Sequence, residues 1–139
     1  MANIADMAEK RRAADECMRK ASAFRRRRPM LAASLLENGS EIYFELGKRA
    51  GHWLKEKDFC LEAGHGFAEA AELRRKRDPV KAATLLTKSG DAFAHAGGIH
   101  KSFSELLGIA SSKYLEAAKL LCEGAERLLA KAERISEGI

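Results

Sequence analysis

The sequence predicts an all-α protein, a short right-handed solenoid of stacked antiparallel helix pairs. Three observations lead there. First, the phrase Ala63-Gly64-His65-Gly66-Phe67-Ala68-Glu69-Ala70 returns as Ser89-Gly90-Asp91-Ala92-Phe93-Ala94-His95-Ala96. Each copy sets a small residue, an aromatic and a small residue at i, i+4 and i+7, which is one face of a helix. Small residues let a neighbouring backbone approach and the ring fills the gap, so this is a stacking face. Second, Pro29-Met30-Leu31-Ala32-Ala33-Ser34-Leu35-Leu36 matches Pro79-Val80-Lys81-Ala82-Ala83-Thr84-Leu85-Leu86 fifty positions later. At the same offset Tyr43 corresponds to Phe93 and Gly47 to Gly97, so two helices make one repeat. Third, only 2 prolines occur in 139 residues, alanine is abundant, and no alternating strand pattern breaks the helical periodicity.

A single domain spanning residues 1–139 is expected, with five helices. The first is expected over residues 4–26, where Ile4, Met7, Ala14, Cys17, Ala21 and Phe24 keep a three-four spacing. Pro29 opens the second, residues 30–47, because its fixed φ and missing N–H suit a first turn. Ala32, Leu35, Leu36, Gly39, Tyr43 and Leu46 form its apolar face, and Gly47 is its expected end. The third covers 55–76; its start is either an Asp58 cap or an earlier point near Trp53. Asp78-Pro79 caps and opens the fourth, 79–96, which Gly97-Gly98 closes.

Ser102-Phe103-Ser104-Glu105 has the form of a capping box and begins the fifth segment, 103–136. Phe103, Leu107, Ala110, Tyr114, Ala117, Leu121, Ala125, Leu128, Ala132 and Ile135 give it a near-heptad apolar stripe. Gly108 and Gly124 leave one helix or two open. Its free end is where a further repeat, or another chain, would pack.

Charge narrows the function classes. The net charge is +5 and 32% of residues are charged, which suits an acidic partner: a protein, an anionic membrane surface or nucleic acid. No apolar run approaches the ~20 residues of a membrane span, and the opening Met1-to-Arg12 stretch is polar, so a cytoplasmic protein is expected. Cys17, Cys60 and Cys122 are odd in number and far apart, and are expected as reduced, buried thiols. His52, His65, His95 and His100 form no i, i+4 ligand pair and are expected at the surface or in grooves. No nucleophile–base set or paired carboxylates occur. Gly64-His65-Gly66 lacks the preceding strand that nucleotide binding needs. The expectation is a non-catalytic protein with no cofactor and no metal.

Two basic runs are the sharpest local features: Arg25, Arg26, Arg27 and Arg28, and Arg74, Arg75, Lys76 and Arg77. Cations at helix C-termini interact favourably with the macrodipole, which accounts for some of them. If the helices alternate in direction, both runs also fall on one edge and form a rim for an anionic partner. Phe24 either closes the core of the first helix or forms an apolar tip. Trp53 is either a partner anchor or a plug between helices.

The stretch AGHGFAEAAELRRKRDPVKAATLLTKSGDAFAHAG, residues 63–97, resembles the N-terminal part of the soluble NSF attachment proteins (SNAPs), whose helix pairs are related to tetratricopeptide repeats. Phe24-Arg25-Arg26-Arg27-Arg28-Pro29 followed by Ala32-Ala33 is similar to that family's first interhelical junction. The resemblance covers roughly residues 5–97. It implies an adaptor that binds a SNARE-type helical bundle in membrane traffic, with Phe24 and the neighbouring arginines in peripheral contact with an anionic membrane. The family's ATPase-engaging C-terminal bundle has no counterpart here. The alternatives are a basic nucleic-acid-associated protein or an enzyme-accessory subunit, although no aromatics interleave the basic runs as nucleic-acid binding would favour.

Overall fold

The computed structural model describes residues 4–50, 53–99 and 103–137. They form α1 (Ile4–Phe24), α2 (Pro29–Arg49), α3 (Trp53–Arg74), α4 (Pro79–Ile99) and α5 (Phe103–Glu137), with no strand among them. Pro29 and Pro79 open their helices as expected. Asp78 caps α4 by accepting the Lys81 backbone N–H at 3.0 Å. No side chain caps α2; Arg28 stands at its N-cap, and proline at the first position leaves one fewer N–H to satisfy.

Successive helices are antiparallel. Lys10, early in α1, lies 3.8 Å from Glu45, late in α2. The Tyr43 ring of α2 stacks on Phe59 near the start of α3, while Arg74 at the end of α3 donates to the Ser34 hydroxyl near the start of α2. Helices two apart run parallel and meet at offsets near fifty. Arg11 lies over Phe59 and Arg25 pairs with Glu69; in the other layer Lys81 pairs with Glu37 and Phe44 meets His95. The result is a solenoid-like stack with α5 packed on α4.

Both small–aromatic–small faces are core. Ala63, Phe67, Ala70, Phe93 and Ala96 are buried to within 1% of complete, as is Ser89. Residues related by the fifty-residue offset are buried alike: Ala32 and Ala82, Leu36 and Leu86, Tyr43 and Phe93. The glycines make the approach possible. A Cβ on Gly64 would come 2.8 Å from the Phe93 ring, and one on Gly90 would come 2.6 Å from Tyr114.

Several expectations are corrected. Helices α1 and α3 end two residues early, at Phe24 and Arg74, and the cations after them form the turns. Gly47 and Gly97 are buried helical positions that end nothing: α2 runs to Arg49 and α4 to Ile99. Asp58 lies inside α3 and caps nothing. Ser102 of the expected capping box lies outside the described residues. The segment left open as one helix or two is one continuous helix, Phe103–Glu137.

The buried face of α5 is also rolled from the expected one. Leu106, Ala110, Ala117 and Leu120 are buried, whereas Leu107, Tyr114 and Leu121 are 40%, 38% and 51% exposed. The stripe is broad, and α4 covers only one flank of it. Of the three thiols only Cys60 is buried; Cys17 is half-buried and Cys122 is exposed on the free side of α5.

Candidate binding rim

Helix α1 ends at Phe24 and α2 begins at Pro29, so Arg25 to Arg28 are the whole α1–α2 connection. Arg74 is the last residue of α3, and Arg75, Lys76, Arg77 and Asp78 lead into α4. Two contacts tie these turns to one edge. Arg25 pairs with Glu69 in the C-terminal part of α3. The Arg74 guanidinium donates to the Ser34 hydroxyl at 2.8 Å and lies 4.0 Å from the Glu37 carboxylate, both in the first half of α2. Alternating helix direction therefore brings the eight cations to the same end of the stack.

They are not equivalent there. The Arg74 side chain is only 18% exposed, so it braces α3 against α2 beneath the rim. Lys81 reaches the same Glu37 at 2.8 Å, which makes a three-residue polar bridge from α2 to α3 and α4. Arg75, the first residue after α3, lies 3.6 Å from Glu72 in that helix's last turn. Among the described residues, Arg26, Arg27, Arg28, Lys76 and Arg77 are exposed and make no ion pair. Those five are the cations with charge to offer a partner. The one carboxylate in the two turns, Asp78, is engaged in capping α4.

Phe24 is partly buried and packs against the core cluster, so it anchors the first turn from inside. Trp53 is the first residue of α3, and its side chain lies outside the described residues. His65 is exposed, edge-on to the Phe93 ring with 5.0 Å between centroids; His95 is half-buried beside Phe44. His52 and His100 lie outside the described residues.

Away from the rim the surface carries shallow grooves of mixed charge. One of about 520 Å³ runs between α2 and α4 past Glu41, Phe44, Lys48 and Lys88. Lys48 sits 4.5 Å above the Phe44 ring, and Lys88 pairs with Glu41. Another of about 460 Å³ lies beside Arg11, Asp15, Tyr43 and Phe59. There the Tyr43 hydroxyl donates to Asp15, and burial, then this bond, push the phenol well above its ordinary pKa. These cross-repeat pairs were not expected from the sequence. Their signal is the opposite charge of Glu37 and Lys81, and of Glu41 and Lys88, at spacings near the repeat length.

The rim's chemistry is electrostatic: exposed guanidinium groups donate forked hydrogen bonds to carboxylate or phosphate oxygens. No described helix is long and apolar enough to cross a membrane. No protein-family profile, curated protein or solved structure matches the chain.

Proposed function

We propose that this protein is a non-catalytic adaptor or scaffold, a tetratricopeptide-like module that captures an acidic partner on its basic rim. The partner that fits best is an acidic helical bundle of SNARE type beside an anionic membrane, as the resemblance to SNAPs implies; this is a cytoplasmic role at the membrane periphery. The observation that carries the reading is the grouping of Arg26, Arg27, Arg28, Lys76 and Arg77. Two turns about fifty residues apart supply these unpaired cations to one edge. Like charges held together on an edge repel, and an anionic surface relieves that repulsion. On lipid each such cation contributes about 1 kcal/mol at most.

The test is binding of the full chain to an acidic helical bundle and to vesicles containing anionic lipid. Two variants are compared: Arg26, Arg27 and Arg28 to Ser, and Lys76 and Arg77 to Ser. Both should weaken binding at low salt, and added salt should reproduce the loss. Unchanged affinity on neutralising either group would overturn the shared rim. Preference for RNA over both probes would replace the adaptor reading with the nucleic-acid one.

A further inference from the structure

Helix α5 has 35 residues and α4 has 21, so α5 outreaches its neighbour by about 20 Å at 1.5 Å per residue. Beyond Leu120 its described side chains are exposed, Gly124 alone being partly covered. Leu115, Leu121, Leu129 and Ile135 are 66%, 51%, 64% and 61% exposed. Ala118, Ala125 and Ala132 lie between them on the same face. Leu121, Ala125, Ala132 and Ile135 occupy alternating seam positions of a heptad, and Leu115, Cys122 and Leu129 flank that seam. A solvent-facing apolar stripe of this length calls for a cover.

The geometry points to a second copy of this chain as that cover, with the two α5 helices antiparallel about a two-fold axis near Glu123. Size complementarity is the first argument. In this register Leu121 faces the partner's Ala125, twice over by symmetry, so a large residue is set against a small one on both sides of the axis. A parallel pair would set Ala125 on Ala125 and leave gaps. The flank is the second. Leu115 comes beside the partner's Leu129, twice over by symmetry, and Cys122 beside its own mate, so the exposed apolar flank is covered along with the seam. Continuity is the third. Each helix of the stack is antiparallel to the one before it, and the second α5 takes the next place in that order. The contact is isologous, so it closes on itself and builds no filament.

The experiment uses the full chain in light scattering and sedimentation, with circular dichroism as the check on folding. The wild type should be a dimer. Leu121→Glu with Leu129→Glu alters only exposed positions, so helicity should stay unchanged while dimer dissociation becomes at least about tenfold easier, because charges enter an apolar seam. Leu115→Glu should weaken the dimer, and adding Leu129→Lys, which puts an opposite charge beside it, should recover part of the loss. A short bismaleimide should join Cys122 to its mate, since antiparallel pairing puts that position on the same flank in both copies; Cys122→Ser should lose the product. A wild type monomeric at the highest concentration reached, or a dimer indifferent to Leu121→Glu with Leu129→Glu, would overturn the proposal. Failure of Leu129→Lys to recover association in the Leu115→Glu background, or a dimer with no Cys122 cross-link, would overturn the antiparallel register.

Discussion

At the scale of single residues, the glycines separate by what stands opposite them. A methyl on Gly64 meets the Phe93 ring at 2.8 Å, so Gly64→Ala overpacks the α3–α4 seam at a cost of about 1–3 kcal/mol. The gain in helix propensity offsets up to about 1 kcal/mol of that. Chemical denaturation should show a net loss. A methyl on Gly108 would meet no neighbouring atom within 4 Å, so Gly108→Ala should stabilise by up to about 1 kcal/mol. Two buried serines make a similar contrast. The Ser89 hydroxyl donates to the Gly64 carbonyl at 2.7 Å, so Ser89→Ala should cost about 1 kcal/mol. The Ser40 hydroxyl is buried without a hydrogen-bond partner, so Ser40→Ala should be neutral or stabilising in the same measurement.

The tyrosines give a pH signature. Burial, followed by the bond donated to Asp91 at 2.6 Å, pushes the Tyr114 phenol up to about 12. Tyr43 is raised by burial and its bond to Asp15. Both are favoured in the neutral form in the folded state. Their stabilisation is therefore complete below the unfolded phenol pKa of about 10 and fades as pH rises through the folded values. Thermal unfolding followed across alkaline pH should show stability falling above about pH 10. Tyr114→Phe should flatten part of that fall.

At the scale of elements, Arg74 shows how a charge run divides its labour. Its guanidinium bonds Ser34 and approaches Glu37 in a half-buried setting, so it belongs to the packing of α3 on α2. Arg74→Ser should lower stability by roughly 1.5–3 kcal/mol, the range for hydrogen bonds to charged groups. Lys76→Ser with Arg77→Ser should leave the denaturation midpoint nearly unchanged, since exposed unpaired cations contribute little to folding. A midpoint shift equal in the two variants would deny Arg74 its bracing role. The α5 register follows the same logic: a broad stripe allows several faces, and contact with α4 through Gly90 selects one.

At the scale of the whole molecule, the rim exists only because helix direction alternates. Its binding should therefore depend on both turns together. Neutralising one turn should reduce the salt dependence of affinity for anionic vesicles, and neutralising both should nearly abolish it. Titrating binding against salt for the wild type and the three variants checks this. A salt slope carried by one turn alone would mean that the two clusters act separately.

Gly108 and Gly124 left the last segment open as one helix or two, whereas the all-helical class and the two buried aromatic faces were determined by sequence alone. Their signals are local and periodic: Pro29 and Pro79 suit only the opening turn of a helix, and Phe67 and Phe93 sit among small residues at helical spacing. The ends of the helices were not legible, because Gly47 and Gly97 look like stops until a neighbouring helix packs against them and keeps them helical. The exposed, unpaired cations of the rim were half legible. Composition located all eight, but only the stack decided that Arg74 would turn inward and that Arg26, Arg27, Arg28, Lys76 and Arg77 would stay unpaired. Which flank of α5 is buried, and hence the exposure of Leu121, Cys122 and Leu129, was likewise decided by tertiary packing. A helix with apolar residues on more than one flank carries no local instruction about which flank its neighbour will cover.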